Sequence, residues 1–214
     1  MTFRLTRLGI RLSLLLGLAV SMGGAFAQTV KIGWLSSLTG PLSSAAIAEN
    51  QGVQLAVDEI NKTGGMLGKQ IELLTRDTAG DPTKAVNFAQ QLAFSDKVKL
   101  VIGPVNSGEG LATTPILARA SVPNIVVGSI DELTDPMKYP RAFRAINAKL
   151  QWIATATDYA LKTLKKSKVA IIADKSGYGT ASGKTALELL DKLRPKLGEG
   201  DIDVLFWWVL RART

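Results

Sequence analysis

Residues 51–86 read QGVQLAVDEINKTGGMLGKQIELLTRDTAGDPTKAV. Ala48, Gly52, Leu55, Ala56 and Ile60 recur at helical spacing, so a helix runs to about Asn61. Gly64 and Gly65 end it, and Gly68 turns the chain into an extended run from Gln70 to Arg76. Asp81 then caps a second helix, with Pro82 at its first position, where a missing N–H costs nothing.

The same alternation continues on both sides. Upstream, Val30 to Leu35 (VKIGWL) reads as a buried strand followed by the loop Ser36–Pro41. Downstream, Leu100 to Ile102 is a short strand, Gly110 to Ala120 a helix and Asn124 to Val127 a further strand. Strands alternating with helices imply an α/β fold with a parallel sheet covered on both faces. The pattern becomes extended at Arg141–Asn147 and then restarts: helix Leu150–Lys165, strand Val169–Ala173, helix Thr180–Leu193 and a strand at Asp203–Trp208. The crossing at Arg144–Asn147 reads as a hinge between two lobes.

The N-terminus carries an address. Arg4, Arg7 and Arg11 precede the apolar run Leu12–Val20, and Ala25-Phe26-Ala27 is an A-x-A cleavage signal. This is the order of a secretory signal peptide over residues 1–27. The apolar run is shorter than the ~20 residues needed to span a bilayer. Export to the periplasm, with the mature chain starting at Gln28, is the expectation.

Composition removes several chemistries. The chain has no histidine and no cysteine. Ser-His-Asp and Cys-His nucleophiles are therefore excluded, as are zinc sites that need His or Cys and any disulfide. No enzyme activity, cofactor or metal is expected. The net charge of +8 falls to +5 without residues 1–27, and the only basic cluster is Lys162, Lys165, Lys166 and Lys168. That density, without interleaved aromatics, points to a solvated helix end and not to a nucleic-acid surface.

In an open parallel sheet a ligand binds beyond the carboxyl ends of the strands, where strand order switches. Three loops should meet there: Ser37–Pro41, Gly103–Gly108 and Gly128–Asp131. GPVNSGEG precedes a helix, whose N-terminus can hold a carboxylate on backbone N–H groups. Ser107 either adds a hydroxyl donor to that site or caps the helix, and the two roles are compatible.

KIGWLSSLTGP at residues 31–41, the stretch quoted above, and LVIGPVNSG at residues 100–108 resemble the Leu/Ile/Val-binding protein family. These are type I periplasmic binding proteins of branched-chain amino acid importers. VAIIADKSGYG at residues 169–179 carries the resemblance into the second lobe. It implies a type I periplasmic-binding-protein fold: a parallel, doubly wound first lobe over residues 28–146 and an incomplete second α/β lobe over residues 147–214. It also implies a monomer that binds an amino acid or related carboxylate and serves the membrane permease of an ABC importer. Ser107 matches the family's carboxylate-binding serine. GSIDELT at residues 128–134 resembles the loop that holds the α-amino and carboxylate groups. Anchoring on Glu132-Leu133-Thr134 puts Ser129 at the hydroxyl position and Val127 at the position that offers a carbonyl, with Gly128 between them; an undeleted register puts Ile130 at the hydroxyl position. Tyr178 matches a second-lobe tyrosine that closes over the ligand. Where leucine-type binders carry an aromatic, Ser43-Ser44-Ala45 stands, which leaves the solute's side chain open. Trp34, in a strand, reads as core.

GTASGKT at residues 179–185 resembles a phosphate-binding loop, but Tyr178 occupies the position where its first glycine belongs. The acidic pair Asp131-Glu132 reads as turn capping. The second lobe is shorter than the first and closes on the apolar DVLFWW at residues 203–208, an edge strand with no later partner. A truncated or frameshifted member of the family, or a ligand-sensing module of the same fold, is the alternative expectation.

Overall fold

A computed structural model of the protein describes residues 29–166, 168–197 and 203–208. The signal-peptide expectation lies outside the described residues. The described residues form seven strands and five α-helices, alternating except between β4 and β5: β1 (Val30–Ser36), α1 (Ser43–Lys62), β2 (Ile71–Asp77), α2 (Pro82–Gln90), β3 (Leu100–Ile102), α3 (Ser107–Arg119), β4 (Asn124–Val126), β5 (Ala142–Arg144), α4 (Lys149–Asp158), β6 (Lys168–Ala173), α5 (Gly177–Leu197) and β7 (Asp203–Trp208). Short π-helical turns extend α2 and α4, and a 3₁₀ turn covers Asp131–Thr134.

The first five strands form one sheet in the order β2-β1-β3-β4-β5. All its pairings are parallel, as the alternation of strands and helices predicts. The chain runs outward from β1 to β2 and then returns to the other side of β1 for β3. The switch in direction between β1 and β3 opens a crevice at their carboxyl ends.

One face of this sheet is sealed by α2 and α3. Leu35, Leu92, Val101, Ile116 and Leu117 form its buried cluster. The Asp81 carboxylate accepts from the Thr83 and Lys84 N–H groups, with Pro82 opening α2 as the sequence predicts. Trp34 points to the other face; it is fully buried and its indole N–H donates to Asn50 Oδ1 at 3.0 Å. There α1 lies less closely on the sheet. A cavity of about 540 Å³ separates them, lined by apolar side chains that include Ile32, Ile71, Ile102, Val53 and Ile60.

Two helices begin earlier than their patterns predict. Asn106 Oδ1 accepts from the Gly108 N–H at 2.7 Å, so α3 starts at Ser107 and not Gly110. Likewise α5 starts at Gly177 and not Thr180, so GTASGKT lies inside a helix, where no phosphate-cradling loop can form. β6 and β7 pair in parallel, Lys168 opposite Asp203 through Ala173 opposite Trp208. Leu161 and Leu190 form a small core beside them with Val169, Ile171 and Leu193.

Candidate solute site at the carboxyl ends of β3 and β4

The loop after β3 and the loop after β4 are joined by one hydrogen bond. Ser107 is the first residue of α3 and only 4% exposed; its Oγ accepts the Ser129 N–H at 3.2 Å. A hydroxyl that accepts from a fixed N–H keeps its own proton for another acceptor. The capping alternative for Ser107 falls to Asn106, so the Ser107 hydroxyl is not occupied in holding the helix end. Gly128 makes the approach possible: a Cβ there would lie 2.7 Å from Leu133 Cδ1 and 3.1 Å from Ser107 Cα. Val127 leads into this loop from β4, its N–H donating to the Pro104 carbonyl at 3.3 Å.

Two cationic residues hold the loop from behind. Arg144, the last residue of β5, donates through Nη1 to the Ser129 carbonyl. Its Nη2 donates to the carbonyls of Ile130 at 3.0 Å and Asp131 at 3.4 Å, and to Thr134 Oγ1 at 2.6 Å. Burial pulls the Arg144 pKa down, and the nearby Asp131 and Glu132 charges oppose that shift. Lys149, the first residue of α4, donates its N–H to the same Ser129 carbonyl at 2.7 Å. Its side chain is 6% exposed, with Nζ 3.5 Å from the Ala181 carbonyl of α5 and 3.8 Å from Asp131 Oδ2.

A buried polar cluster centres on Glu109, two residues further along α3. Ser37 Oγ donates to Glu109 Oε2 at 3.2 Å and is 3.2 Å from Thr78 Oγ1. Glu109 is fully buried and its Oε1 has no hydrogen-bond partner. Desolvation raises its pKa, against hydrogen bonds from Thr78, Ser37 and the Asn106 backbone that lower it. The loop Ser37–Pro41 thus meets α3 through Glu109.

The start of α5 meets the start of α3 end to end. A Cβ on Gly177, at the start of α5, would lie 3.2 Å from Gly108 Cα at the start of α3. Two helix N-termini therefore face one another, each carrying roughly half a positive charge. Tyr178, next to Gly177, is partly exposed and lines a cavity of about 300 Å³ with Ile153, Asp174 and Ser182. Ala181, one turn further on, packs against Val126, Ile130 and Leu133 beneath the Ser129 loop.

Ser107, Gly128 and Ser129 are thus in direct contact, and Val127 is next to them in the chain. The cavity that Tyr178 lines includes none of these residues; its neighbour Gly177 approaches Gly108. Among the described residues no group of three or more carboxylates, histidines or cysteines could hold a metal ion. Sequence reasoning missed Arg144, Lys149 and Glu109. Arg144 lies in the segment read as the crossing, and nothing in its neighbours shows that it reaches back over ten residues to Thr134.

The profile of periplasmic binding proteins matches residues 29–204. The chain belongs to the periplasmic binding protein family. Among its curated relatives, the Leu/Ile/Val-binding protein BraC3 of Rhizobium johnstonii is 32% identical over 173 residues, which cover 81% of this chain and 45% of the relative. The chain spans about half the length of the curated relatives it matches. Its fold is the type I fold of this family. The branched-chain amino acid binding protein LivJ of Streptococcus pneumoniae, solved with isoleucine, superposes with a TM-score of 0.71 at 29% identity, over 85% of this chain and 50% of that one. A solute binding protein of Rhodopseudomonas palustris, solved with 3,4-dihydroxybenzoic acid, gives a TM-score of 0.69 at 25% identity, over 83% and 46%.

Proposed function

We propose that the chain is a substrate-binding protein of an ABC importer, or the part of one that carries the first lobe. It binds a small carboxylate, an amino acid of the branched-chain type or a related solute, and presents it to a membrane permease. In this reading it is exported by its N-terminal segment and works as a monomer in the periplasm, without catalysing a reaction. The observation that carries the reading is the Ser107 hydroxyl, buried at the first turn of α3 and fixed by the Ser129 N–H, with its proton free for a ligand oxygen. The N-termini of α3 and α5 meet beside it and both add positive potential, which favours a carboxylate at the Ser107 hydroxyl. Ser107, Val127, Gly128 and Ser129 hold the solute on one side and Tyr178 on the other. The bound ligands of the Streptococcus and Rhodopseudomonas proteins, isoleucine and 3,4-dihydroxybenzoic acid, share a carboxylate and little else.

Calorimetry of the chain with isoleucine, leucine, valine, benzoate and 3,4-dihydroxybenzoate tests this. Saturable binding of at least one, weakened by Ser107→Ala, supports it. Binding of none, or binding indifferent to Ser107→Ala, refutes it.

The second reading rests on the span of about half the relatives' length. Binding proteins of this kind work by closing two lobes on the ligand. In that reading the first lobe binds weakly and serves no importer, and small-angle scattering would record no ligand-dependent compaction.

A further inference from the structure

We propose that Arg144 is the positioning residue of the solute site, tying the Ser129–Asp131 carbonyls to the strand that leaves the first lobe so that the Ser129 N–H stays aimed at Ser107 Oγ. The inference rests on the reading of Ser107 and Ser129 as the solute site. Its geometry stands apart from that reading.

Residues 127–130 link β4 to the 3₁₀ turn at Asp131–Thr134; the Ile130 carbonyl accepts the Leu133 N–H at 3.2 Å, and each carbonyl keeps a second lone pair for a side-chain donor. Here one guanidinium takes three consecutive carbonyls, those of Ser129, Ile130 and Asp131, together with Thr134 Oγ1. Nη2 serves Ile130, Asp131 and Thr134 while Nη1 of the same planar fork takes the Ser129 carbonyl, and a lysine has no second nitrogen for that carbonyl. Ser129 is the residue held on both sides, its carbonyl by Arg144 and its N–H by Ser107 Oγ. Fixing the carbonyl side of the loop limits the angles through which the N–H can swing, and so holds the Ser107 hydroxyl in one rotamer. Arg144 ends β5, and the N–H of Lys149, which opens α4, bonds the same Ser129 carbonyl. The two ends of the crossing between lobes therefore converge on one peptide group of the site.

Arg144→Met keeps the apolar stem and removes every donor; Arg144→Lys keeps the charge and one point of donation. In the full chain, amide hydrogen exchange at Ser129 should run about tenfold faster in Arg144→Met, the loss of roughly one hydrogen bond's protection. Exchange at Val101, whose N–H bonds the Pro123 carbonyl inside the sheet, should not change. Arg144→Lys should fall between wild type and Arg144→Met. The dissociation constant of isoleucine or benzoate, whichever binds wild type, should rise about tenfold in Arg144→Met. The proposal is overturned if Ser129 exchange is unaltered, if Ser129 and Val101 speed up together, or if the loop loosens while affinity holds. If neither probe binds wild type, the solute-site reading fails, and the exchange comparison still decides whether Arg144 positions Ser129. Should Arg144→Met not fold, Thr134→Val removes one acceptor of the fork and must show the same local loosening to a smaller degree.

Discussion

A pair of glycine-to-alanine substitutions with opposite expected signs tests how the Ser129 loop lies on α3. At Gly128 the new methyl group would be 2.7 Å from Leu133 Cδ1, 3.1 Å from Ser107 Cα and 3.2 Å from Ser107 Oγ. The leucine is confined, since Leu133 is fully buried against Val126, Ile130 and Ala181. Neither it nor the α3 backbone can retreat without moving the loop. Overpacking of this kind costs about 1–3 kcal/mol, and the stiffer unfolded chain returns about 0.4–1 kcal/mol. Gly128→Ala should therefore destabilise the fold by up to about 2.6 kcal/mol, and displacement of the loop should also weaken solute binding. At Gly52, inside α1, a methyl group would meet nothing within 4 Å. Only the backbone effect remains, so Gly52→Ala should stabilise by about 0.5–1 kcal/mol. Urea unfolding by circular dichroism, read from the midpoint at unchanged slope, measures both. Two substitutions that shift stability in the same direction by the same amount would show that the packing described around Gly128 is not that of the molecule in solution.

Three further outcomes follow from the same geometry. Ser107→Ala removes a hydroxyl donor to a charged ligand oxygen, about 1.5–3 kcal/mol, so titration calorimetry should record affinity falling roughly 10- to 150-fold; it also leaves the buried Ser129 N–H without its acceptor, which should cost about 1–3 kcal/mol of stability. Burial raises the Glu109 pKa, so its stabilising contribution is complete below the ordinary carboxylate range and is lost as pH rises through the raised value. Unfolding measured from pH 4 to pH 8 should accordingly show Glu109→Gln gaining on wild type with rising pH; parallel curves would refute this. Leu133→Ala empties the centre of the cluster beneath the Ser129 loop and should cost about 2–5 kcal/mol by urea unfolding, whereas Leu67→Ala, at a side chain 94% exposed, should cost almost nothing.

The fold was legible because its signals are local. Helical spacing from Ala48 to Ile60, the Gly64-Gly65 stop and the Asp81-Pro82 start each act within a few residues, and the parallel sheet followed from the alternation they define. Helix starts were read less well. Gly108 and Gly177 read as loop residues by composition, yet Asn106 caps the first helix and Gly177 gives the close approach between the two helix ends. A glycine that marks a helix boundary and a glycine that admits a neighbouring backbone look the same in sequence.

The site divides along the same line. Ser107, Gly128 and Ser129 stand in loops at the carboxyl ends of strands, where a parallel sheet directs its ligand-binding residues, so their neighbourhood could be anticipated from topology. Arg144 could not, because an arginine ending an extended segment most often faces solvent, and its partners lie from ten to fifteen residues back in the chain. Lys149 is harder still: a lysine opening a helix is usually exposed, and this one is buried because α5 lies across it and supplies the Ala181 carbonyl. The residues proposed to touch a solute were therefore visible one by one. Those that hold them in place became visible only once the crossing segment, the Ser129 loop and α5 were seen packed together.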